Sequence, residues 1–434
     1  MIKLVLVNES FTNPIFYRRW ELLAEKHRDW DITLLAPRKE SFKATKGSFG
    51  RDVTIQGQII DNNNFHIRVF DKKYLMGLGW ISPDFKNILS EIAPDVIYNI
   101  GAHNQISLLQ LMRLRNRYLP KAKLLSFSMR GPNYNISHFK EKCSPLSRYI
   151  KRRLYYVYVK SALDYFNKNC DAVFCHYPDA MKCFRDEGYK GPIYMQTQVG
   201  VNPELFHYDE KKRTEIRQKY EIDDSTFVFG SATRFTPDKG LYEILKALPV
   251  EGNWKYLMMG SGTKEEEQKL RELIQARGLG DKIILTGFVQ LKDMPKYWNA
   301  IDCMLHVPIT TFSWVETFSI ALVQGMITGK PVIGSNSGSV PYQIGEEGII
   351  IPEKDVDALH EKIVWVLSHQ DEAKTIGERM RSRAENCFSV FHLNDMFYET
   401  VMEDVLQGKY DEKKIDMARY RTKEERTHEE KKNQ

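Results

Sequence analysis

Short runs of β-branched and aromatic residues alternate with longer stretches of helical periodicity from one end of this 434-residue chain to the other. This alternation is typical of parallel sheets whose strands are joined by crossover helices. The pattern therefore predicts an α/β protein. Because it runs through two successive arrays, we predict two Rossmann-like, doubly wound domains.

The predicted elements can be read directly from this rhythm. In the first half of the chain, the predicted strands are 2–7, 32–36, 64–70, 95–99, 122–127 and 171–176. The helices predicted around them are 14–28, 84–92, 104–117 and 145–169. In the second half, the predicted strands are 226–231, 254–259, 282–286, 302–307, 331–334 and 347–351. The helices predicted there are 239–248, 263–278, 291–300, 318–328, 355–369 and 372–385.

The boundary between the two arrays is predicted within 198–222, where an apolar segment leads into a charged one. The N-terminal domain then covers residues 1–200 and the C-terminal domain covers 201–385. Residues 409–434 form a charged tail, a composition that is usually disordered or a solvated helix. A ligand of two such domains would lie at the carboxyl ends of their strands.

Composition limits the function more than it defines it. A net charge of +6 argues against a dedicated nucleic-acid binder, but it allows a local basic patch facing phosphates or an anionic membrane. The six cysteines include no C-x-x-C pair, so we expect reduced thiols and no zinc site. The N-terminal apolar run is too short for a signal or a membrane span, and we expect a cytoplasmic protein.

One segment of the second half combines a polar loop with a helix start. A predicted strand ends at Val307, a loop then delivers Glu316, and Thr317 or Ser319 can cap the next helix. The N–H groups at such a helix start form an anion site. Gln324 follows Glu316 by about two helical turns and can reach a ligand that lies along the helix.

A second segment supplies cations. A strand predicted to end near Thr233 and a helix starting after Pro237 place Arg234 and Lys239 at one strand-to-helix turn. Arginine offers a planar fork to phosphate oxygens and lysine offers a point charge. Two cations and a helix start can stabilise a departing diphosphate without a metal. The alternative is that these groups, and the Glu316 carboxylate, are ordinary solvated charges.

In their order along the chain, these motifs resemble the C-terminal half of family 4 of the GT-B glycosyltransferases. The motifs are Arg-x4-Lys-Gly, a Gly-Ser-Gly turn, Leu-Thr-Gly-Phe-Val, Glu-x-Phe-x-Ile-x3-Gln and Gly-Lys-Pro-Val-Ile. The resemblance covers residues 165–370 well and the remainder by rhythm. It implies two domains that face a cleft, with a helix at 386–408 crossing back to the N-terminal domain. It also implies sugar transfer with retention at the anomeric carbon.

The resemblance also assigns roles to residues of the C-terminal domain. Arg234 and Lys239 would bind the donor diphosphate, and Glu316 would contact the donor sugar. The donor-binding residues that it implies are Thr317, Phe318, Ser319, Ile320, Gln324 and Val289. Within this set, the backbone of the helix start would bind phosphate, the glutamine would hold the ribose and the valine would lie beside the base. The donor would be a nucleotide sugar of the UDP or GDP type, and no further cofactor and no metal would be needed.

This sequence departs from the family's pattern at three places. Gln324 is an amide where the family usually has a carboxylate, and the loop after the first strand, Asn8–Phe11, is not rich in glycine. The family's histidine after the fourth N-terminal strand is missing, and Arg130 would take over part of its work. On the same domain His103 can touch the acceptor, although a structural histidine is the alternative reading.

The acceptor is predicted to be a glycan or a lipid-linked glycan, bound by the N-terminal domain. The basic and aromatic helical stretch 148–160 can contact the inner face of a membrane, or it can be a solvated helix face. Asp29 and Asp31 resemble the carboxylate pair of metal-dependent transferases, but a solvated turn is the simpler reading. A GT-B-like epimerase, a glycosyl phosphorylase and a non-catalytic sugar-binding protein remain alternatives. Among these functions we favour a transferase of surface polysaccharide or glycoconjugate synthesis.

Overall fold

The computed structural model describes residues 1–42, 53–75, 79–103, 105–128, 146–312 and 314–410. These residues form two α/β units. Unit 1 contains the described residues of Met1–Phe42, Val53–Val199 and Leu393–Gln434, and unit 2 contains those of Gly200–His392. The second unit is therefore inserted into the sequence of the first.

The strands of unit 1 are β1 (Ile2–Val7), β2 (Trp30–Pro37), β3 (Lys39–Phe42), β4 (Val53–Gln56), β5 (Ile60–Asn62), β6 (Phe65–Phe70), β7 (Lys73–Leu75), β8 (Gly79–Ile81), β9 (Val96–Ile100), β10 (Lys123–Phe127), β11 (Ala172–Cys175) and β12 (Ile193–Met195). Eight of them form one sheet with the order β12-β11-β10-β9-β1-β2-β6-β5. All neighbours in it are parallel except β5 and β6. Two antiparallel pairs, β3 with β4 and β7 with β8, stand outside this sheet.

The helices of unit 1 that precede the insertion are α1 (Pro14–Lys26), α2 (Phe85–Ile92), α3 (Ile106–Tyr118), α4 (Leu146–Asn169) and α5 (Pro178–Asp186). A 3₁₀ turn, Glu9–Thr12, comes directly after β1. The central strands are almost continuously apolar, as in the buried β9, because helices cover both faces of a parallel sheet.

The strands of unit 2 are β13 (Phe227–Ala232), β14 (Trp254–Met259), β15 (Ile283–Gly287), β16 (Cys303–His306), β17 (Val332–Ser335) and β18 (Ile349–Ile351). They form a six-stranded parallel sheet with the order β15-β14-β13-β16-β17-β18. Its helices are α6 (Glu210–Lys219), α7 (Leu241–Ala247), α8 (Lys264–Ala276), α9 (Met294–Ala300), α10 (Ile320–Ile327), α11 (Val340–Ile344), α12 (Val356–Ser368) and α13 (Gln370–Phe388). Short 3₁₀ turns at Pro237–Lys239 and Leu291–Asp293 precede α7 and α9.

The last described helix returns the chain to unit 1. This helix, α14 (Val390–Glu399), continues into a π-helical turn at Thr400–Val405. Its Phe397 is fully buried and packs edge-on against Trp20 at 5.1 Å and stacked on Tyr98 at 5.3 Å between ring centroids. The buried guanidinium of Arg19 donates to the Asn394 side chain at 2.9 Å and to the Leu393 carbonyl at 2.9 Å. The core of unit 1 thus needs residues from both ends of the sequence.

The predicted α/β class, with parallel sheets in two Rossmann-like arrays, is confirmed, and each strand and helix predicted from periodicity is present with ends shifted by a few residues. Nine elements of the described residues were not predicted, most of them short. These are β3, β4, β5, β7, β8, β12, α5, α6 and α11. Strands of three or four residues are too short to show a period, and α6 has a charged sequence with a weak apolar stripe. In the part of the chain that the structure describes, no helix has both the length and the apolar character to cross a bilayer.

Candidate active site

The strand order of unit 2 reverses between β13 and β16. From this pair, β14 and β15 follow on one side and β17 and β18 on the other. The two strands are neighbours, with Phe229 opposite Cys303 and Gly230 opposite Met304. Ligands of doubly wound sheets bind at the carboxyl ends of such a pair, because the loops leave the sheet in opposite directions there. The loop after β13 carries Arg234 and Lys239, and the loop after β16 carries Glu316.

Lys239 and Glu316 meet at this position. The Lys239 Nζ lies 2.9 Å from the Glu316 Oε2, and only about a tenth of either side chain is exposed. The half-buried Trp314 places its ring centroid 3.8 Å from the same ammonium. An ion pair so shielded from water is stronger than a surface pair, and the indole face adds a cation–π contact. Two residues predicted from separate motifs therefore form one charged pair.

The main chain around Lys239 allows this contact. The Pro237–Lys239 turn ends at Gly240, whose φ of +71° is left-handed. A Cβ atom at this glycine would lie 2.0 Å from the Val307 carbonyl oxygen, so the two loops touch through backbone here. Ile309 continues the contact, because its N–H donates to the Asp238 carbonyl at 2.9 Å. Glycine is therefore required for both the turn and the close approach.

The loop that carries Glu316 is fixed at two more points. The Thr310 N–H and hydroxyl both donate to the Glu353 carboxylate, at 2.7 and 2.6 Å. At the other end of the loop, the Ser339 N–H donates to the Glu316 carbonyl at 2.8 Å. These bonds fix the loop at Thr310 and at the main chain of Glu316.

Ser319 is the cap of α10, as predicted for this position or Thr317. Its hydroxyl accepts from the Leu322 N–H at 3.2 Å. The Ser319 N–H donates to the side chain of Gln343, so it is already used within the fold. The N–H of Ile320 belongs to the first turn of α10, where a helix has no acceptors of its own, and the predicted phosphate contact of the Phe318–Ile320 backbone stays a prediction.

Two further predicted donor residues lie in the same unit. Gln324 is buried on α10, and its Oε1 accepts from the Trp298 Nε1 at 3.1 Å. Its Nε2 is the remaining donor for a ribose hydroxyl. Val289 follows β15 and is half-buried against the core, beside the exposed Phe288. The predicted contacts of both residues with a nucleotide stay predictions.

Arg234 lies on the same loop as Lys239. Its side chain is exposed, and its carbonyl accepts from the Thr236 N–H at 3.0 Å within the turn. Because the guanidinium is already exposed to solvent, it would not have to leave the protein interior to bind a phosphate group. Arg234 therefore remains the second predicted diphosphate ligand.

Sequence reasoning missed His306, Trp314 and Gln343. His306 is the last residue of β16, is 7% exposed and lies 4.0 Å from Glu316 through its Nε2. Burial lowers its pKa to about 4. Its position at the end of β16, just before the loop that carries Glu316, was a signal that sequence reasoning could have used. Nothing in the local sequence indicated the other two, because their partners lie elsewhere in the chain.

The predicted acceptor-side residues belong to unit 1. His103 follows β9, is 2% exposed, and lies 3.3 Å from both the Ser128 Oγ and the Glu187 Oε2. Its ring also packs between Phe166 and Phe184. Such buried contacts are those expected of a histidine that serves the fold, which was the alternative reading of His103. The contact of His103 with an acceptor stays a prediction. Arg130 lies outside the described residues.

The carboxylates that resemble a metal pair have other partners in unit 1. Asp29 accepts from the Tyr398 hydroxyl at 2.9 Å, and the Asp31 Oδ1 lies 3.0 Å from the His66 Nε2. Across the described residues, no group of three or more acidic, histidine or cysteine side chains is arranged to hold a metal ion. The metal-independent reaction stays a prediction.

The predicted membrane-facing stretch 148–160 lies on the helix α4, but the side chains of its first part are outside the described ones. A second basic cluster that could add to a membrane-facing surface consists of Arg113, Arg115, Arg117, Lys121 and Lys123. Within it, Arg115 and Lys123 both face Asp171, at 3.3 and 3.7 Å. Part of that cluster therefore serves the fold.

Comparison with known proteins points to the same half of the chain. The family described as glycosyl transferases group 1 matches residues 212–383. A trehalose synthase of Pyrococcus horikoshii is 24% identical over 46% of this chain and 52% of its own length. The O-antigen chain mannosyltransferase C of Escherichia coli is 30% identical over 42% of this chain and 48% of its own length. The chain thus spans about half the length of the curated relatives it matches.

Solved structures match over nearly the whole chain. The Anabaena protein HepE, solved in complex with UDP, has a TM-score of 0.66 at 17% identity, covering 92% of this chain and 99% of its own. This likeness confirms the predicted GT-B fold. Lys239 and Glu316, the pair at the switch point of unit 2, both fall inside the matched family segment. Residues 212–383 therefore match the glycosyl transferases group 1 family, in a chain with the GT-B fold.

Proposed function

We propose that this protein is a retaining glycosyltransferase that moves a sugar from a nucleotide diphosphate sugar to a hydroxyl group of a glycan or lipid-linked acceptor. The observation that carries this proposal is the shielded pair of Lys239 and Glu316, 2.9 Å apart at the switch point of a glycosyl transferases group 1 domain. A cation for phosphate and a carboxylate for sugar hydroxyls are thus held side by side.

The proposed reaction uses the charges of unit 2 directly. Lys239 and Arg234 bind the diphosphate, and the negative charge that grows on it as the bond to the anomeric carbon breaks is stabilised by them. The start of α10 adds the positive end of a helix dipole. Because these charges come from the chain, the proposal needs no metal ion to neutralise the leaving group.

Retention follows if the acceptor attacks from the face that the diphosphate leaves. The acceptor oxygen bonds to the anomeric carbon of an oxocarbenium-like sugar, and its proton passes to an oxygen of the departing diphosphate. Glu316 accepts hydrogen bonds from sugar hydroxyls and so orients the ring. No side chain forms a covalent bond to the sugar in this scheme.

The two units would divide the substrates. Unit 2 would bind the nucleotide sugar and unit 1 the acceptor, as the family resemblance implies. The Anabaena relative was solved with UDP, which makes uridine the first base to test, with guanosine second. The Escherichia coli relative acts on the O-antigen chain, which supports an acceptor in surface polysaccharide synthesis.

A ligand-induced shift in melting temperature tests the donor. The protein is heated with UDP, GDP, ADP or dTDP, because a ligand that binds only the folded state at about 100 times its Kd adds about 2.7 kcal/mol of stability. One of these diphosphates should raise the melting temperature of the wild type and have a much smaller effect on Lys239→Met. Equal shifts in both proteins would reject the proposed diphosphate site.

The sugar nucleotide of the selected base then tests the chemistry. Without acceptor, a transferase hydrolyses it slowly, and proton NMR shows the anomer that is released first. The same anomeric configuration as in the donor supports retention, and the opposite configuration rejects it. Conversion of the sugar on the intact nucleotide would instead identify an epimerase, and a strict need for phosphate would identify a phosphorylase.

A further inference from the structure

His306 is a buried polar side chain with one unused hydrogen-bonding atom. It ends β16 and is 7% exposed, and among the described residues its Nε2 finds no hydrogen-bond partner. The nearest charged atom to this nitrogen is the Glu316 Oε2, at 4.0 Å. Buried polar atoms are rarely left unpaired in folded proteins, so this nitrogen calls for an explanation.

The neighbouring carboxylate has a partner that the proposed reaction would take away. In the free protein, the Lys239 ammonium donates to the Glu316 Oε2 at 2.9 Å. The same ammonium is the proposed ligand of the donor diphosphate, whose charge is larger than that of one carboxylate. When the ammonium turns to the diphosphate, Glu316, which is 8% exposed, loses the group that compensates its buried charge. An uncompensated buried carboxylate is strongly unfavourable.

We propose that His306 is a positioning residue that takes over Glu316 when the donor diphosphate draws Lys239 away. The Nε2–H of the imidazole then donates to the Oε2 that the ammonium has left. Glu316 keeps its charge and its orientation toward the donor sugar, and the cost of binding the diphosphate falls. This inference rests on the proposed function, because it needs a diphosphate on Lys239.

The state of the imidazole suits this task. Burial, with a smaller contribution from the Lys239 ammonium, lowers the pKa of His306 to about 4, although the Glu316 carboxylate acts in the opposite direction. The ring is therefore neutral near pH 7 and carries one N–H. The carboxylate favours the tautomer with that proton on Nε2, since it can only accept. Lys239 and Glu316 are the charged groups that face the ring.

A variant that lacks the ammonium imitates the donor-bound state without any nucleotide. In Lys239→Met, the ammonium no longer opposes protonation of His306, so the Glu316 carboxylate stabilises the protonated ring. The titration of the His306 ring, followed by NMR on the full chain and assigned by the loss of its signal in His306→Gln, should move from a pKa of about 4 to above the ordinary value of about 6.5. The double variant Lys239→Met/Glu316→Gln is the control and should keep the low pKa. A low pKa in both variants overturns the proposal.

A second measurement covers the case in which Lys239→Met does not fold. Glutamine places an N–H near the position of Nε2, whereas phenylalanine keeps the ring shape without a donor. We expect His306→Phe to bind UDP or GDP more weakly by about tenfold, and His306→Gln to stay within about twofold of the wild type. Equal losses in the two variants, or no loss in either, contradict the exchange of partners.

The two experiments separate this inference from the proposed function. If the wild type binds neither UDP nor GDP, the proposed donor is rejected, and the role of His306 in an exchange of partners is rejected with it. If the nucleotide binds but the ring keeps its low pKa in Lys239→Met, the donor site stands and the role of His306 is rejected.

Discussion

Gln343 holds the backbone of Ser319 from both sides. Its Oε1 accepts from the Ser319 N–H at 2.9 Å, and its Nε2 donates to the Ser319 carbonyl at 3.0 Å. Gln343 is fully buried on the short helix α11, 24 residues farther along the chain. One side chain thus fixes the start of α10, the helix end proposed to face the phosphates.

Replacing the side-chain amide of Gln343 should destabilise the start of α10. Gln343→Leu leaves the Ser319 N–H buried without its partner and leaves the Ser319 carbonyl with the Val323 N–H, at 3.3 Å, and we expect a loss of about 1–3 kcal/mol in the free energy of unfolding. Urea denaturation measures this loss. Gln275→Leu, on the exposed face of α8, is the matched control and should change stability by less than about 0.5 kcal/mol. Equal stabilities of the two variants would show that the contacts of Gln343 add nothing.

Gly240 gives a test of the contact between the loop after β13, which carries Lys239, and the loop after β16, which carries Glu316. Gly240→Ala must adopt a φ of +71° and also place a Cβ 2.0 Å from the Val307 carbonyl oxygen. Gly278 has nearly the same φ, +68°, but no atom within 4 Å of an added Cβ. Gly278→Ala should therefore cost only the left-handed strain, about 1–2 kcal/mol, and Gly240→Ala clearly more.

Melting curves of the two glycine variants measure this difference, and nucleotide affinity supplies a second readout. Gly240→Ala should also weaken nucleotide binding, since it displaces the turn that carries Lys239. Gly278→Ala should bind the nucleotide like the wild type. A Gly240→Ala protein with normal stability and affinity would show that the two loops can move apart without consequence.

The cationic residues give the most direct test of catalysis. Lys239→Met and Arg234→Met should each lower the turnover of the sugar nucleotide by about 10²-fold or more, because each removes a charge that stabilises the leaving diphosphate. Release of nucleoside diphosphate is the quantity to measure. Lys246→Met, at an exposed position of α7, is the matched control and should turn over normally. Near-normal turnover in both Lys239→Met and Arg234→Met would reject the assignment of these residues to the leaving diphosphate.

Much of the fold was predictable because its signals are local. The strand β1 is an unbroken apolar run after its first residues, and α10 begins with a serine that caps it. Such features need only a few neighbouring residues. Elements without a local period were missed, such as the three-residue strands β7 and β8, which are defined by pairing with each other.

In the candidate site, the sequence allowed assignments only for residues that belong to the recognised motifs. Lys239 and Glu316 were both assigned from their motifs, although 77 residues separate them. The contact of Trp314 with the Lys239 ammonium and the grip of Gln343 on Ser319 depend on tertiary packing. No pattern of residue types in one segment encodes such pairs. The sequence therefore singled out the two charged residues that meet, but not the residues that hold them in place.

Lys330 gives a prediction on stability and pH. It lies two residues before β17 and is 6% exposed, and burial lowers its pKa to about 8. Its ammonium has one long hydrogen bond, to the Asn299 carbonyl at 3.4 Å, and faces the Tyr208 ring. Since the folded state disfavours the charged form, Lys330→Met should stabilise the protein by about 1–3 kcal/mol at pH 7.

The sign of the pH dependence follows from the lowered pKa. The unfolded chain holds the lysine proton up to about pH 10.4, whereas the folded protein releases it near pH 8. The wild type therefore gains stability from this group as the pH rises from 8 to 10, and loses that gain as the pH falls. Urea denaturation at pH 7 and pH 10 should show the gap between wild type and Lys330→Met closing at the higher pH. A constant gap would show that the amine stays charged.

The return of α14 to unit 1 has a consequence for synthesis of the chain. Trp20 and Tyr98 leave the ribosome long before Phe397, the ring that completes their cluster. All of Gly200–His392 is made in the interval, so unit 2 can fold while unit 1 still lacks part of its interior. A nascent chain that stalls before Leu393 would display these aromatic side chains to water and become a target for chaperones. The interior of unit 1 is thus completed only after all of Gly200–His392 has been synthesised.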